Sequence, residues 1–201
     1  MEIAESTRSR ILNAAIEMME AGGESSVRLS AIAEVLCIKE PSIYHHFSNR
    51  TELINAAYVE WYWQCLKTDI SVEAMMALVD SKEDYVRAFR KSMEWSYRPE
   101  RHHARAIRFS VLGAAQRNPE LAVAINDINK KFLTTIADAA LVAQQQGWVR
   151  QDLEPMAIAY WLHGQIIGRV VAEMDPGRVD LAQWDKVSFE AVLSLMLAPE
   201  K

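Results

Sequence analysis

The sequence has few of the residues that mark a secreted, disulfide-linked or membrane-spanning protein. It has two cysteines, Cys37 and Cys65, in 201 residues, and they match no metal-ligand spacing. The N-terminus carries Glu2, Glu5 and Arg8 where a secretory signal would need an apolar stretch. No run reaches the roughly 18 apolar residues of a membrane span. We therefore expect a cytoplasmic protein without a metal, a cofactor or a membrane partner.

The sequence also lacks the sustained alternation of apolar and polar residues that marks strands. This absence predicts an all-α chain, and the breakers and capping residues divide it into about nine helices. The first ends at Gly22-Gly23, and the fourth begins after a capping Ser48 and bends near Ser71. The last two cover about residues 155–174 and 181–197.

Catalytic motifs are missing as well. The chain shows no phosphate-binding loop, nucleophile elbow or paired-carboxylate motif. The neighbours His45-His46 and His102-His103 would point about 100° apart on a helix, so neither pair can chelate one ion as an i, i+4 pair does. An all-helical enzyme or metal protein is therefore the hypothesis that the sequence favours least, and we expect a protein that is not an enzyme.

A short polar segment is what the sequence does contain: KEPSIYHHFSNRTEL, residues 39–53. It follows a short helix and a turn of about three residues, which is the spacing of a helix-turn-helix. In the second helix Ile43 and Phe47 lie four residues apart and share the buried face. Pro41, Ser42 and His45 then point outward, towards a space that suits the DNA major groove.

The outward residues divide into two groups by the part of DNA that they suit. Ser42, Tyr44 and His45 are expected to face base edges, and the carboxylate of Glu40 either accepts from a cytosine amino group or repels phosphate. Cations at the helix ends, Arg28, Lys39 and Arg50, are expected to meet phosphates. The competing interpretation is an ordinary solvated helix with a half-buried tyrosine.

The stretch VRLSAIAEVLCIKEPSIYHHFSNRTELI, residues 27–54, resembles the helix-turn-helix signature of the TetR family of bacterial transcriptional repressors. The resemblance implies that Ser30, Pro41 and His46 also lie near DNA, and that Arg50 replaces the usual phosphate-binding lysine. Two positions depart from the family pattern. Cys37 stands where glycine is usual, which predicts a strained left-handed turn, and Lys39 replaces the usual capping serine or threonine.

The resemblance also implies the domain organisation. We expect an N-terminal three-helix helix-turn-helix domain, residues 1–50, followed by a larger helical effector-binding and dimerisation domain, residues 51–201. A wide apolar band near the C-terminus fits either an internal core or a dimer interface, and the family's four-helix dimer bundle favours the interface. Its expected residues are Gly164, Ile167, Gly168, Val171, Trp184, Val192 and Met196.

The middle of the chain is rich in aromatic residues, methionine and arginine. These residue types suit an effector pocket, although core packing is the stronger explanation for any one of them. The expected pocket residues are Trp61, Trp63, Met75, Phe89, Met93 and Phe109. The many arginines between Arg87 and Arg108 favour a solvated basic face, and an anionic effector is the alternative hypothesis.

Together these features predict a repressor that binds a near-palindromic double-stranded DNA operator as a homodimer and is released by a small-molecule effector. One alternative is a helix-turn-helix regulator without an effector, controlled by a protein partner or by oxidation of Cys37. The other is the all-helical enzyme. Neither the operator sequence nor the identity of the effector can be derived from the residues.

Overall fold

The protein is an all-α chain, as expected, and its computed structural model describes residues 6–67 and 71–198. Within these residues there are ten α-helices and no strand, only an isolated bridge between Val149 and Leu197. The helices are α1 Thr7–Gly22, α2 Leu29–Val35, α3 Glu40–Tyr44, α4 Arg50–Leu66, α5 Val72–Met76, α6 Lys82–Tyr97, α7 His102–Ala115, α8 Pro119–Gln145, α9 Pro155–Glu173 and α10 Leu181–Met196.

Most helix ends follow the capping residues in the sequence. The Ser81 hydroxyl accepts from the Asp84 N–H at 3.1 Å, and the Asn118 side chain accepts from the Leu121 N–H at 3.1 Å. Each bond satisfies an N–H that the first helical turn leaves without a backbone partner. Gly147 ends α8 with φ +74°, a left-handed conformation that glycine adopts without strain.

Two details predicted for the fourth helix are wrong. The fourth helix does not bend near Ser71, because α4 ends at Leu66 and Ser71 caps the separate helix α5. The cap of α4 is Asn49 rather than Ser48: its side-chain oxygen accepts from the Glu52 N–H at 2.8 Å. Ser48 instead donates its N–H and its hydroxyl to the Glu52 carboxylate, at 2.7 and 2.5 Å.

The described residues form two compact units. Unit 1 contains residues 6–64 and 113–125, and unit 2 contains residues 65–67, 71–112 and 126–198. The described part of the N-terminal domain that we expect, residues 6–50 of 1–50, lies inside unit 1, and the domain boundary after residue 50 stays a prediction. No helix in the described parts of the chain is both long enough and apolar enough to span a membrane.

The core of unit 1 joins the first four helices. Ile11 of α1, Ile32 of α2, Ile43 of α3 and Leu53 of α4 are all completely buried in one apolar cluster. Helices as short as α2 and α3 are marginal alone in water, so this packing holds them in place.

Unit 2 has a separate core between α6, α8, α9 and α10. Its buried members include Tyr85, Met93, Tyr97, Val192 and Met196. Aromatic rings make up much of this packing. The rings of Phe89 and Phe189 stack with centroids 6.2 Å apart, and Tyr97 meets Trp184 edge-on at 5.4 Å.

Candidate nucleic-acid interface

The turn between α2 and α3 has the strained conformation that the sequence predicts. The N–H of Ile38 bonds the Ala33 carbonyl at 2.9 Å, and the N–H of Cys37 bonds the Glu34 carbonyl at 3.1 Å. These two bonds define a Schellman motif, whose residue after the C-cap is left-handed and is usually glycine. Here that residue is Cys37, with φ +53°. The turn therefore pays a conformational cost to set the angle between α2 and α3.

Helix α3 presents a polar face because two side chains fix its other face. Ile43 is completely buried and Phe47 is 2% exposed, as the spacing predicts. Pro41 lies in the first turn, where its missing N–H costs no helix bond. Lys39 precedes the helix without making a side-chain cap. The first turn thus relies on proline and on packing rather than on a capping hydroxyl.

The predicted DNA-facing side chains are all accessible. Tyr44 is 51% exposed, and its neighbours His45 and His46 meet edge-on with ring centroids 5.5 Å apart. Of the residues predicted to lie near DNA, the exposed ones are Arg28, Ser30, Lys39, Glu40, Pro41, Ser42, Tyr44 and His45. His46 and Arg50 are partly buried. The structure thus brings together the residues that the sequence nominates, while their contacts with DNA stay a prediction.

Arg50 has a role that sequence reasoning missed. Its Nε donates to the Val27 carbonyl at 2.8 Å, and its Nη2 donates to the Glu24 carbonyl at 2.5 Å. Both carbonyls belong to the segment that leads into α2. The pKa of Tyr58, two turns further along α4, is raised by burial and by a hydrogen bond with Glu24. Two side chains of α4 therefore hold the entry to the helix-turn-helix.

The predicted pocket residues divide between the two units and differ in burial. Trp61 packs against the core of unit 1, and Trp63 of the same unit is 44% exposed. Phe109 of unit 2 is 47% exposed. Of the others, Phe89 and Met93 belong to the core of unit 2, and Met75 is partly buried. That these six residues line an effector pocket stays a prediction.

The predicted dimer residues divide between the core and the surface of unit 2. Val192 and Met196 are 0% and 3% exposed, so in this chain both side chains belong to the core, and Trp184 is half-buried against Tyr97. On α9, by contrast, Val171 is 67% exposed. The other α9 residues are Gly164 and Gly168, which are exposed, and Ile167, which is partly buried.

Unit 2 contains a buried ionic network that the sequence analysis did not find. The Glu173 carboxylate, 3% exposed, accepts from Arg105 and Arg169, and Arg169 also pairs with Asp185 at 2.6 Å. Burial raises the pKa of Glu173, but the hydrogen bond and charge of Arg105, followed by the charges of Arg169 and His102, lower it overall. The local sequence signal is the i, i+4 pair of Arg169 and Glu173 on a helix that has no other Asp, Glu, Lys or Arg.

Groups of three or more side chains that could hold a metal do not occur in the described ranges, residues 6–67 and 71–198. The features of unit 1 instead define a class of protein: a helix-turn-helix with a solvent-facing second helix is a DNA-binding module.

Comparison with known proteins agrees with this class. Residues 11–57 match the family model described as bacterial regulatory proteins, tetR family. The HTH-type transcriptional regulator UidR of Escherichia coli K12 is 26% identical over 161 residues, covering 75% of this chain and 72% of UidR. The N-terminal segment therefore matches the tetR family of bacterial regulatory proteins, and the chain over most of its length is similar to a transcriptional regulator.

Solved structures share the fold over nearly the whole chain. A transcriptional regulator of Saccharomonospora viridis in complex with choline aligns with TM-score 0.67 at 20% identity, covering 96% of this chain and 98% of that one. FadR of Bacillus subtilis in complex with stearoyl-CoA aligns with TM-score 0.66 at 22% identity, covering 92% and 97%.

Proposed function

We propose that the protein is a repressor that binds a near-palindromic operator as a homodimer and is released by a small-molecule effector. The observation that carries the proposal is the polar outer face of α3, fixed by Ile43 and Phe47 beneath it. Such a face fits the major groove, and a single short recognition helix gains affinity and symmetry from a second copy.

The surface of unit 2 supports the homodimer. Large apolar side chains are exposed on α9 and α10, where a monomer would leave them in water. They are Tyr160, Trp161, Val171, Met174, Val187 and Leu195. A Cβ added at Gly164 or Gly168 would meet no atom within 4 Å, so the α9 surface at these positions is open to a closely packed helix. We propose that this surface, with Val187 and Leu195 in place of Val192 and Met196, joins two copies.

The effector part of the proposal rests on two observations. Two relatives with this fold were solved with choline and with stearoyl-CoA. Unit 2 also contains a cavity and a network of buried charges. For release, the effector must prefer the conformation that does not bind DNA, so DNA and effector weaken each other's binding equally.

Selection of bound sequences from a random DNA pool tests the DNA-binding function. We expect an enriched site with two inverted half-sites, separated by about one helical turn or a multiple of it. A pool that stays random, together with no selective shift of DNA from the protein's own promoter region, would contradict the proposal.

Sedimentation tests the dimer. Val171→Glu and Val187→Glu each place a carboxylate in the proposed interface, and we expect either change to shift the protein towards the monomer. Val123→Glu is the matched control, because Val123 is 64% exposed on α8 of unit 1. If the interface variants sediment like the control, the two copies do not meet on this surface.

A further inference from the structure

A small cavity lies inside unit 2, where the end of α4 meets residues of α6, α7, α8 and α9. Its volume of about 30 Å³ is room for roughly two water molecules. Trp95, Phe132 and Ile166 form an apolar part of its wall, and Arg101, Arg105 and Arg108 contribute guanidinium groups. Among the described residues that line it there is no aspartate or glutamate. The cavity is thus small, partly apolar and lined by cations.

Arg105 forms a fixed part of this wall. It is 1% exposed, and its Nε donates to the Glu173 carboxylate at 3.1 Å. Its Nη1 donates to the Ser96 carbonyl at 2.6 Å. Bonds to a carboxylate and to the backbone of α6 hold the guanidinium in one orientation.

Arg108 adds a second buried cation. It is 5% exposed, and its Nη2 lies 2.8 Å from Nδ1 of His163. Burial, and then the charge of Arg108, lower the pKa of His163 to about 3. The imidazole is therefore neutral at ordinary pH and contributes no second positive charge beside Arg108.

Arg101 connects the cavity to α4. Its Nη2 donates to the Cys65 carbonyl at 2.7 Å, in the last turn of α4. Its guanidinium also lies over the Trp95 ring, 4.0 Å from the ring centre. Arg101 is only partly buried, so its side chain can turn between this carbonyl and a ligand.

We propose that this cavity binds the carboxylate, or a similar small oxyanion, of the effector, and that Arg101 transmits binding by exchanging the Cys65 carbonyl for the anion. Hydrogen bonds between a guanidinium and an anion are stronger than those to a neutral carbonyl, so the anion competes for Arg101. The inference rests on the proposed function, because it gives the chemical class of the proposed effector.

An arginine side chain bonds backbone carbonyls near each end of α4. Arg101 holds the carbonyl of Cys65 near the C-terminal end of α4. At the other end, Arg50 holds the carbonyls of Glu24 and Val27, just before α2.

Acetate and acetamide, which have the same shape and differ in charge, test the ligand class. Saturation-transfer NMR on the full-length protein reports the binding of each. We expect transfer to acetate and at least about tenfold weaker binding of acetamide, because the uncharged amide lacks the charge-assisted bonds. Equal transfer to both compounds, or none to acetate, would overturn the inference.

Variants locate the site. Arg101→Met should weaken acetate binding about tenfold or more, through loss of a charge-assisted bond, and Arg101→Lys should restore part of the loss. Arg87→Met is the matched control, since Arg87 pairs with Asp84 at 3.1 Å and is largely exposed. Unchanged acetate binding in Arg101→Met would place the anion elsewhere. If that variant does not fold, Arg101→Lys and the comparison of acetate with acetamide still test whether an anion binds at this site.

Operator binding separates this inference from the proposed function. At constant ionic strength, saturating acetate should weaken operator binding by the wild type about fivefold or more, the lower end of ordinary allosteric coupling. Arg101→Met should lose that effect. A protein that binds no operator refutes the proposed function. One that binds operator equally with and without acetate refutes the inference alone.

Discussion

The buried side chains of unit 1 are apolar apart from the Tyr62 hydroxyl, whereas unit 2 buries three arginines, Arg105, Arg108 and Arg169. All seven buried polar or charged residues in the described part of the chain belong to unit 2. Apolar packing suffices to hold the proposed recognition helix, α3, in place. The polar groups of unit 1 then remain on the surface, where DNA can contact them. Buried charges cost free energy, so their concentration in unit 2 indicates a role other than stability alone.

The largest effect is expected from a substitution in the buried ionic network of unit 2. Glu173→Gln removes the carboxylate that accepts from Arg105 and Arg169 and leaves two buried cations without it. We expect the free energy of unfolding to fall by about 3–5 kcal/mol in urea titrations. Glu190→Gln is the control, because that carboxylate is 65% exposed and lies 3.9 Å from Lys186. A Glu173→Gln variant as stable as this control would show that the network contributes little.

The pH dependence of stability is the next largest effect. The folded-state pKa of His163 is lowered to about 3 from 6.5, first by burial and then by Arg108. Below pH 6.5 the imidazole of His163 becomes protonated in the unfolded chain but stays neutral in the folded protein. The free energy of unfolding therefore falls as the pH falls towards 3. The loss reaches about 2 kcal/mol by pH 5.

His163→Gln should remove this contribution, while the exposed His45→Gln should keep it. Chemical unfolding at a series of pH values compares the three proteins. The same acid slope in the wild type and in His163→Gln would show that the histidine is not held neutral.

A smaller effect separates the two roles of Arg50 in unit 1. Arg50→Met removes the bonds to the Val27 and Glu24 carbonyls, and we expect a loss of about 1–2 kcal/mol in unfolding free energy. If Arg50 also meets a phosphate, the slope of log K against log salt for operator binding falls by about 1. Arg50→Lys keeps the charge and serves as the control. An unchanged salt slope would leave Arg50 with the supporting role alone.

The smallest expected effect comes from removing the backbone strain at Cys37, in the turn between α2 and α3. Cys37→Gly should raise the unfolding free energy by about 0.5–1 kcal/mol, since glycine adopts φ +53° without strain but gains entropy in the unfolded chain. Thermal unfolding measures it, with Cys37→Ser as a control that keeps the strain. A destabilised glycine variant would mean that the thiol contributes more than the backbone strain costs.

The position and buried face of α3 could be predicted from the sequence, because the residues that determine them are close together in the chain. Ile43 and Phe47 lie one turn apart, Pro41 fixes the start of α3, and the sequence flags Cys37 as the strained turn residue. The ionic network was not predictable, because Arg105 and Glu173 are 68 positions apart and nothing near Arg105 indicates its partner. On α10 both Val187 and Val192 are apolar, so periodicity could not tell which one faces the core.

The central claim is that the exposed face of α3 reads the operator, and one variant tests it most directly. Tyr44→Ala with His45→Ala leaves the buried anchors in place, and its affinities for the selected operator and for random DNA can be measured at several salt concentrations. We predict that the preference for the operator falls at least about tenfold, with the salt slope unchanged, because base contacts are lost and phosphate contacts remain. Unchanged preference, in a variant that melts like the wild type, would contradict the account.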